Sequence, residues 1–135
     1  MTKLEEQLMI DEGFRSKPYL DTVGKLTIGY GRNLDDVGIS KAEAYAMLQN
    51  DIKKVTAELR SKIHFFGLLS DGRQNALINM AFNMGVTKLL GFKKTLALME
   101  KGDFDEASRE VLRSKWASQV GQRAVRISEK IKTGS

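Results

Sequence analysis

From Ser40 onward the residues Ala44, Leu48, Ile52, Val55, Leu59 and Ile63 recur at helical spacing and form one apolar stripe. The stripe predicts a helix of roughly 22 residues, about 33 Å long at 1.5 Å per residue. Ser40 and Glu43 stand three apart, the spacing of a capping box, and mark where it starts. A helix of that length can bridge two lobes, so the chain on either side of it is read separately.

Before the stripe, Thr2 and Glu5 form another capping box, and Leu4 and Leu8 repeat at helical distance. A first helix over about residues 3–12 follows, ended by Gly13. Between Lys17 and Ile28 the character changes. Pro18 breaks helix, Asp21-Thr-Val-Gly24 is rich in turn formers, and Leu26, Ile28 and Tyr30 alternate with other residues, so a small hairpin is expected. Residues 31–39, with Gly31, Asn33, Asp35, Asp36 and Gly38, read as loop. After the stripe, helices are predicted over about 71–84, 92–101, 104–113 and 121–132, with Gly85, Gly102 and Gly134 as stops. Val120, Ala124, Ile127 and Ile131 make the core face of the last one, and Met80 and Met84 belong to the core. No internal repeat or linker interrupts the 135 residues. The expected fold class is α+β, predominantly α, in one domain.

Composition removes several classes of function. With no cysteine there is no disulfide framework, zinc knuckle or thiol nucleophile. No apolar run approaches the roughly 18–20 residues that cross a bilayer. The N-terminus, Met-Thr-Lys-Leu-Glu-Glu, carries acids where a signal peptide would begin its apolar segment, so the expectation is a protein made in the cytoplasm. The net charge of +5 is local: residues 109–132 hold seven Arg or Lys and two Glu, and the remaining 15 bases and 15 acids cancel. Such a patch suits an extended anionic partner: nucleic acid, acidic lipid or acidic cell-wall polymer.

The segment Asp11–Gly31 carries the chemistry. Glu12, at the end of the first helix, meets the negative pole of the helix dipole, which disfavours a second negative charge and suits a general acid. Asp21 sits in a polar turn that keeps a carboxylate ionised, and the hairpin brings Thr27 back beside it. Glycoside hydrolysis needs such a division, one carboxylic acid to protonate the leaving oxygen and one carboxylate to attack or to activate water.

Asp11-Glu-Gly13, Tyr19-Leu-Asp-Thr22, Gly24 and Thr27-Ile-Gly-Tyr-Gly31 together closely resemble the active-site segment of the phage-type lysozymes. Ala76–Gly85 followed by Gly91-Phe92, and Ser114-Lys-Trp116 followed by Arg123-Ala-Val-Arg126 and Thr133-Gly134, extend the likeness over most of the chain. The resemblance implies a lysozyme-like fold: a small N-terminal hairpin lobe of about 14–55, joined by a long helix to a helical lobe of about 1–13 plus 62–135. It implies an endolysin muramidase that cuts the β-1,4 bond between N-acetylmuramic acid and N-acetylglucosamine in peptidoglycan, inverting the sugar carbon and lysing the host. Glu12 is then the general acid, while Asp21 with Thr27 directs water. Asn33, Phe82, Asn83 and Thr95 line the sugar-binding cleft, and Arg123 lies near Glu12 and favours its anion. A monomer without cofactor, metal, nucleic acid or stable membrane association is implied, released to the wall by a separate membrane-permeabilising protein.

The chain departs from the family in having Arg32 where many relatives have histidine, and in a shorter connection from hairpin to long helix, which implies a smaller upper cleft wall. Other features read as structural. His64, between Ile63 and Phe65, suits a packing or helix-end position better than a Ser-His-Asp system. Gly29-Tyr-Gly31 lacks the rest of a phosphate-binding loop. Asp35 and Asp36 face water rather than a cation. Trp116 is a core or inter-helix anchor. Two other functions compete: a non-catalytic wall-glycan-binding module on the same fold, and a basic helical nucleic-acid binder, which lacks a helix-turn-helix signature or a stacking platform.

Overall fold

A computed structural model describes all of residues 1–135, and its first element is the capped helix that the sequence predicts. In α1 (Lys3–Glu12) the Glu5 N–H donates to Thr2 Oγ1 at 3.0 Å, and the Thr2 N–H donates to Glu5 Oε1 at 2.9 Å. Gly13, at φ 71°, then turns the chain while its N–H closes on the Met9 carbonyl. The hairpin consists of β1 (Arg15–Leu20) and β2 (Leu26–Gly29), antiparallel with Tyr19 opposite Thr27 and Leu20 opposite Leu26. The register breaks between Arg15 and Tyr19, across Pro18, which has no N–H to give the ladder. A third strand, β3 (Arg32–Asn33), pairs with β2 inside the stretch read as loop. Two residues are too few to show a period of two, so pattern alone misses it.

The long helix is α2 (Lys41–Lys62), 22 residues. Its capping box is made, the Ser40 N–H donating to Glu43 Oε1 at 2.8 Å and the Glu43 N–H to Ser40 Oγ at 3.1 Å. Arg32 adds a fork to the same carboxylate, Nη1 to Oε1 at 2.8 Å and Nη2 to Oε2 at 2.6 Å, and gives a further bond to the Gly38 carbonyl at 3.1 Å. One side chain thus ties β3, the connection and the first turn of α2. The Arg32 guanidinium, with the Ser40 N–H and hydroxyl, holds the Glu43 carboxyl down from the usual 4.5 to about 2. A depressed carboxylate contributes stability above about pH 4.5, and that contribution is lost as pH falls towards 2. Carbonyl-detected NMR should therefore place the Glu43 midpoint near 2 and move it up towards 4.5 in Arg32→Gln. An ordinary midpoint in the unsubstituted protein would refute the fork.

By internal contacts the chain divides within α2 into two compact units, Met1–Met47 and Leu48–Ser135. In the second unit a 3₁₀ turn (Phe66–Leu68) leads to α3 (Asp71–Met84), α4 (Val86–Leu90), α5 (Lys93–Lys101), α6 (Phe104–Leu112), α7 (Lys115–Val120) and α8 (Gln122–Thr133). The four predicted helices are α3, α5, α6 and α8. The unpredicted α4 and α7 span five and six residues, under two turns, so they show no helical period. The core holds Leu59, Ile63, Phe66, Leu77, Met80, Leu89, Met99, Val111, Trp116, Ala124, Ile127 and Ile131 among its members, with Val120 and Met84 packed against it. Of the α2 stripe, Leu59 and Ile63 are buried, whereas Leu48 and Ile52 wall an open groove instead. His64 is not packed away: it is exposed, 3.0 Å from Glu100, with its ring edge-on to Phe65.

The end of α8 is fastened by a clamp with no sequence signature. Arg73 Nε donates to the Ile131 carbonyl at 2.7 Å and Nη2 to the Lys132 carbonyl at 3.0 Å, while the guanidinium lies 3.4 Å from the centre of the Phe104 ring. These bonds satisfy helix-end carbonyls that have no intrahelical partner.

Candidate active site

Three segments of the first unit carry the candidate reactive groups. Glu12 is the last residue of α1, and its carboxylate rests on Gly31. A methyl group at Gly31 would meet Glu12 Oε2 head-on and lie 2.8 Å from Cδ. Gly31 also has φ +76°, so both space and backbone require glycine there. The Gly-Tyr-Gly stretch thus sets the surface against which the Glu12 carboxylate packs.

Asp21 opens the turn between β1 and β2. Its Oδ1 accepts from the Val23 N–H at 3.0 Å and the Lys25 N–H at 2.8 Å, while its main chain bonds the Lys25 carbonyl and the Gly24 N–H. Oδ2 takes part in none of these bonds. Side chain and backbone together lock the carboxylate's direction. Thr27, 4% exposed, is the only buried residue of the first unit. Its hydroxyl donates to the Lys25 carbonyl at 2.9 Å, so the oxygen keeps only acceptor capacity. The Lys25 peptide groups therefore hold both Asp21 and Thr27.

Asn33 lies opposite Thr27 in the sheet. Its amide is engaged at both ends, Nδ2 donating to Asp36 Oδ2 at 3.0 Å and Oδ1 accepting from the Asp36 N–H at 2.9 Å. The neighbouring acids do more than face water: Asp35 accepts from the Leu26 N–H at 2.7 Å, and Asp36 pairs with Lys25 Nζ at 3.2 Å. Both brace the hairpin.

The candidate residues of the second unit fall on two surfaces. Phe82, 41% exposed, and Arg123 share a groove of about 390 Å³ with Leu48, Ile52 and Asn79. Arg123 donates from Nε to Asn79 Oδ1 at 2.9 Å. Asn83 accepts from the Trp116 indole N–H at 2.8 Å and lines a pocket of about 450 Å³. Thr95 lines another of about 380 Å³, and the two pockets share Gly91, Phe92 and Trp116 as walls. Trp116 is thus both the expected core anchor and part of this concave strip.

Sequence reading missed the contact of Gly31 with Glu12 and the double use of Lys25. A glycine followed by a β-strand residue gives no local sign of what approaches it. Gly31→Ala is expected to displace the Glu12 carboxylate and cost activity on the order of 10²-fold, the scale of a misplaced catalytic group. Gly102→Ala, at φ +83° with nothing within 4 Å, carries the backbone strain alone and is the control. Equal turnover by the two variants would show that the Glu12 contact has no bearing on activity.

The phage lysozyme family model matches residues 10–129. Over the whole chain the sequence is similar to a probable T4-type lysozyme of Dictyostelium discoideum, 29% identical with 96% of that protein covered. It is 34% identical to an endolysin of Acyrthosiphon pisum secondary endosymbiont phage 1, over 83% of this chain and 77% of that one. The pre-baseplate central spike protein Gp5 of Enterobacteria phage T4 is 29% identical over 98% of this chain, which covers 28% of that longer protein.

Proposed function

Because the chain belongs to the phage lysozyme family, we propose that it is an endolysin that cuts the β-1,4 bond between N-acetylmuramic acid and N-acetylglucosamine with inversion, and so lyses the host. Its class is glycoside hydrolase of the lysozyme type, and peptidoglycan is the substrate. What supports the finer reading is the hydrogen bonding around Lys25, which leaves Asp21 Oδ2 and the Thr27 oxygen as two acceptors. A water giving one proton to each directs a lone pair at the anomeric carbon, and Asp21 takes the proton as the bond forms. Glu12, packed on Gly31, protonates the leaving oxygen. Asn33 in the first unit and Phe82, Asn83 and Thr95 in the second are the residues assigned to the sugar chain, with Arg123 in support. No metal or cofactor enters any step.

No helix is long and apolar enough to cross a membrane. In this reading the monomer reaches the wall through a separate membrane-permeabilising protein and does not act on nucleic acid. The test is digestion of purified sacculi: release of soluble muropeptides with new reducing ends supports hydrolysis. Protein that pellets with sacculi and releases none would instead be a wall-glycan-binding module.

A further inference from the structure

The two candidate carboxylates are held in unequal ways. Asp21 and Thr27 are fixed from within the hairpin by the Lys25 peptide groups, with Asp35 and Asp36 as braces. Glu12 has no such frame. It ends a helix in which no residue is buried, and Leu4, Leu8 and Ile10 of that helix all stand exposed. Packing therefore does not fix where α1 stops. The aromatic contact beside it, Phe14 on Tyr30 with ring centres 5.4 Å apart, joins two exposed rings. What locates the Glu12 carboxylate is its contact with Gly31.

Gly31 is a weak seat by itself. Gly29 and Gly31 both have positive φ, and the strand that follows, β3, has only two residues. Glycine loses more conformational freedom on folding than any other residue, so a Gly-Tyr-Gly turn entering so short a strand needs an anchor. The anchor is the next residue. Three of the five Arg32 N–H donors are engaged, two on the Glu43 carboxylate at 2.8 and 2.6 Å and one on the Gly38 carbonyl at 3.1 Å. Glu43 is itself pinned by the Ser40 capping box at the start of α2. With its carboxyl held at about 2, both sides of the fork are charged at neutral pH.

We propose that Arg32 is a positioning residue: by forking onto Glu43 it fixes the backbone of Gly31, and with it the place of the Glu12 carboxylate. It acts through the peptide link to Gly31 and needs no contact with a reacting atom. A planar fork sets direction as well as distance, whereas an ammonium is a point charge, so lysine does not replace it. The proposal rests on the hydrolytic reading for what Glu12 does. The mechanical link from Glu43 to Glu12 is independent of it.

The test compares two substrates in Arg32→Gln, Arg32→Lys, Glu43→Gln and the Arg32→Gln/Glu43→Gln double variant. Glutamine at 43 can still complete the capping box, so that variant loses the fork and keeps the helix start. On soluble glycan strands each variant should lose about tenfold in kcat with KM unchanged, the cost of an acid set slightly out of place. The double variant should lose no more than either glutamine single, because both break one fork. On a dinitrophenyl glycoside of the same disaccharide, whose phenolate leaves without a proton, all should match the unsubstituted protein. Equal losses on both substrates, additive losses, or full activity in Arg32→Lys would overturn the proposal. NMR reads the link without turnover: Arg32→Gln should shift the Gly31 amide and the Glu12 carboxyl carbon while leaving the Asp21 carboxyl carbon in place. Unmoved Gly31 and Glu12 signals would also overturn it. An unsubstituted protein that cleaves neither substrate, with those shifts present, would instead defeat the hydrolytic reading.

Discussion

Glu12→Gln should lower the rate of sacculus digestion by about 10²- to 10⁴-fold, the range that a positioned general acid supplies. The substitution keeps the size of the side chain that packs on Gly31, so the hairpin and α1 should stay as they are. Only the transferable proton goes. Circular dichroism and sacculus pelleting should match the unsubstituted protein while muropeptide release collapses. A variant that digests walls at the normal rate would remove Glu12 from the mechanism.

Asp21→Asn should cost a similar factor for a different reason. Asparagine retains an Oδ1 able to accept from the Val23 and Lys25 N–H groups, so the turn survives. The second oxygen becomes an amide that donates, and the water loses its base. Activity should therefore fall by about 10²- to 10⁴-fold without loss of thermal stability. A large fall in melting temperature would mean instead that the carboxylate mainly supports the turn. Comparing the variants separates proton donation from water activation, because each leaves the other group in place.

Much of this arrangement was legible before any coordinates. Capping boxes at Thr2/Glu5 and Ser40/Glu43 marked two helix starts because a hydroxyl and a carboxylate three residues apart satisfy one another's backbone N–H groups. The change of period at Pro18 and Gly24 located the hairpin, and so the loop that carries Asp21. What stayed hidden depends on partners distant in sequence or on very short elements. Arg32 stood out as a departure, yet nothing nearby tells that it forks onto Glu43, eleven residues on. Arg73 closes on carbonyls nearly sixty residues away. The α2 stripe misled in its first half because helical period marks a face, not the length of it that a core covers. Phe82, assigned to the cleft by the resemblance alone, is 41% exposed, whereas Met80, assigned to the core, is fully buried.

The central claim is that Glu12 protonates the leaving oxygen while a water held by Asp21 and Thr27 attacks from the opposite face of the sugar. Proton NMR of the first products released from soluble glycan strands reads this directly, before mutarotation mixes the anomers. The account predicts that new reducing ends appear as the α anomer of N-acetylmuramic acid. First-formed β anomer, or reducing ends on N-acetylglucosamine, would contradict it.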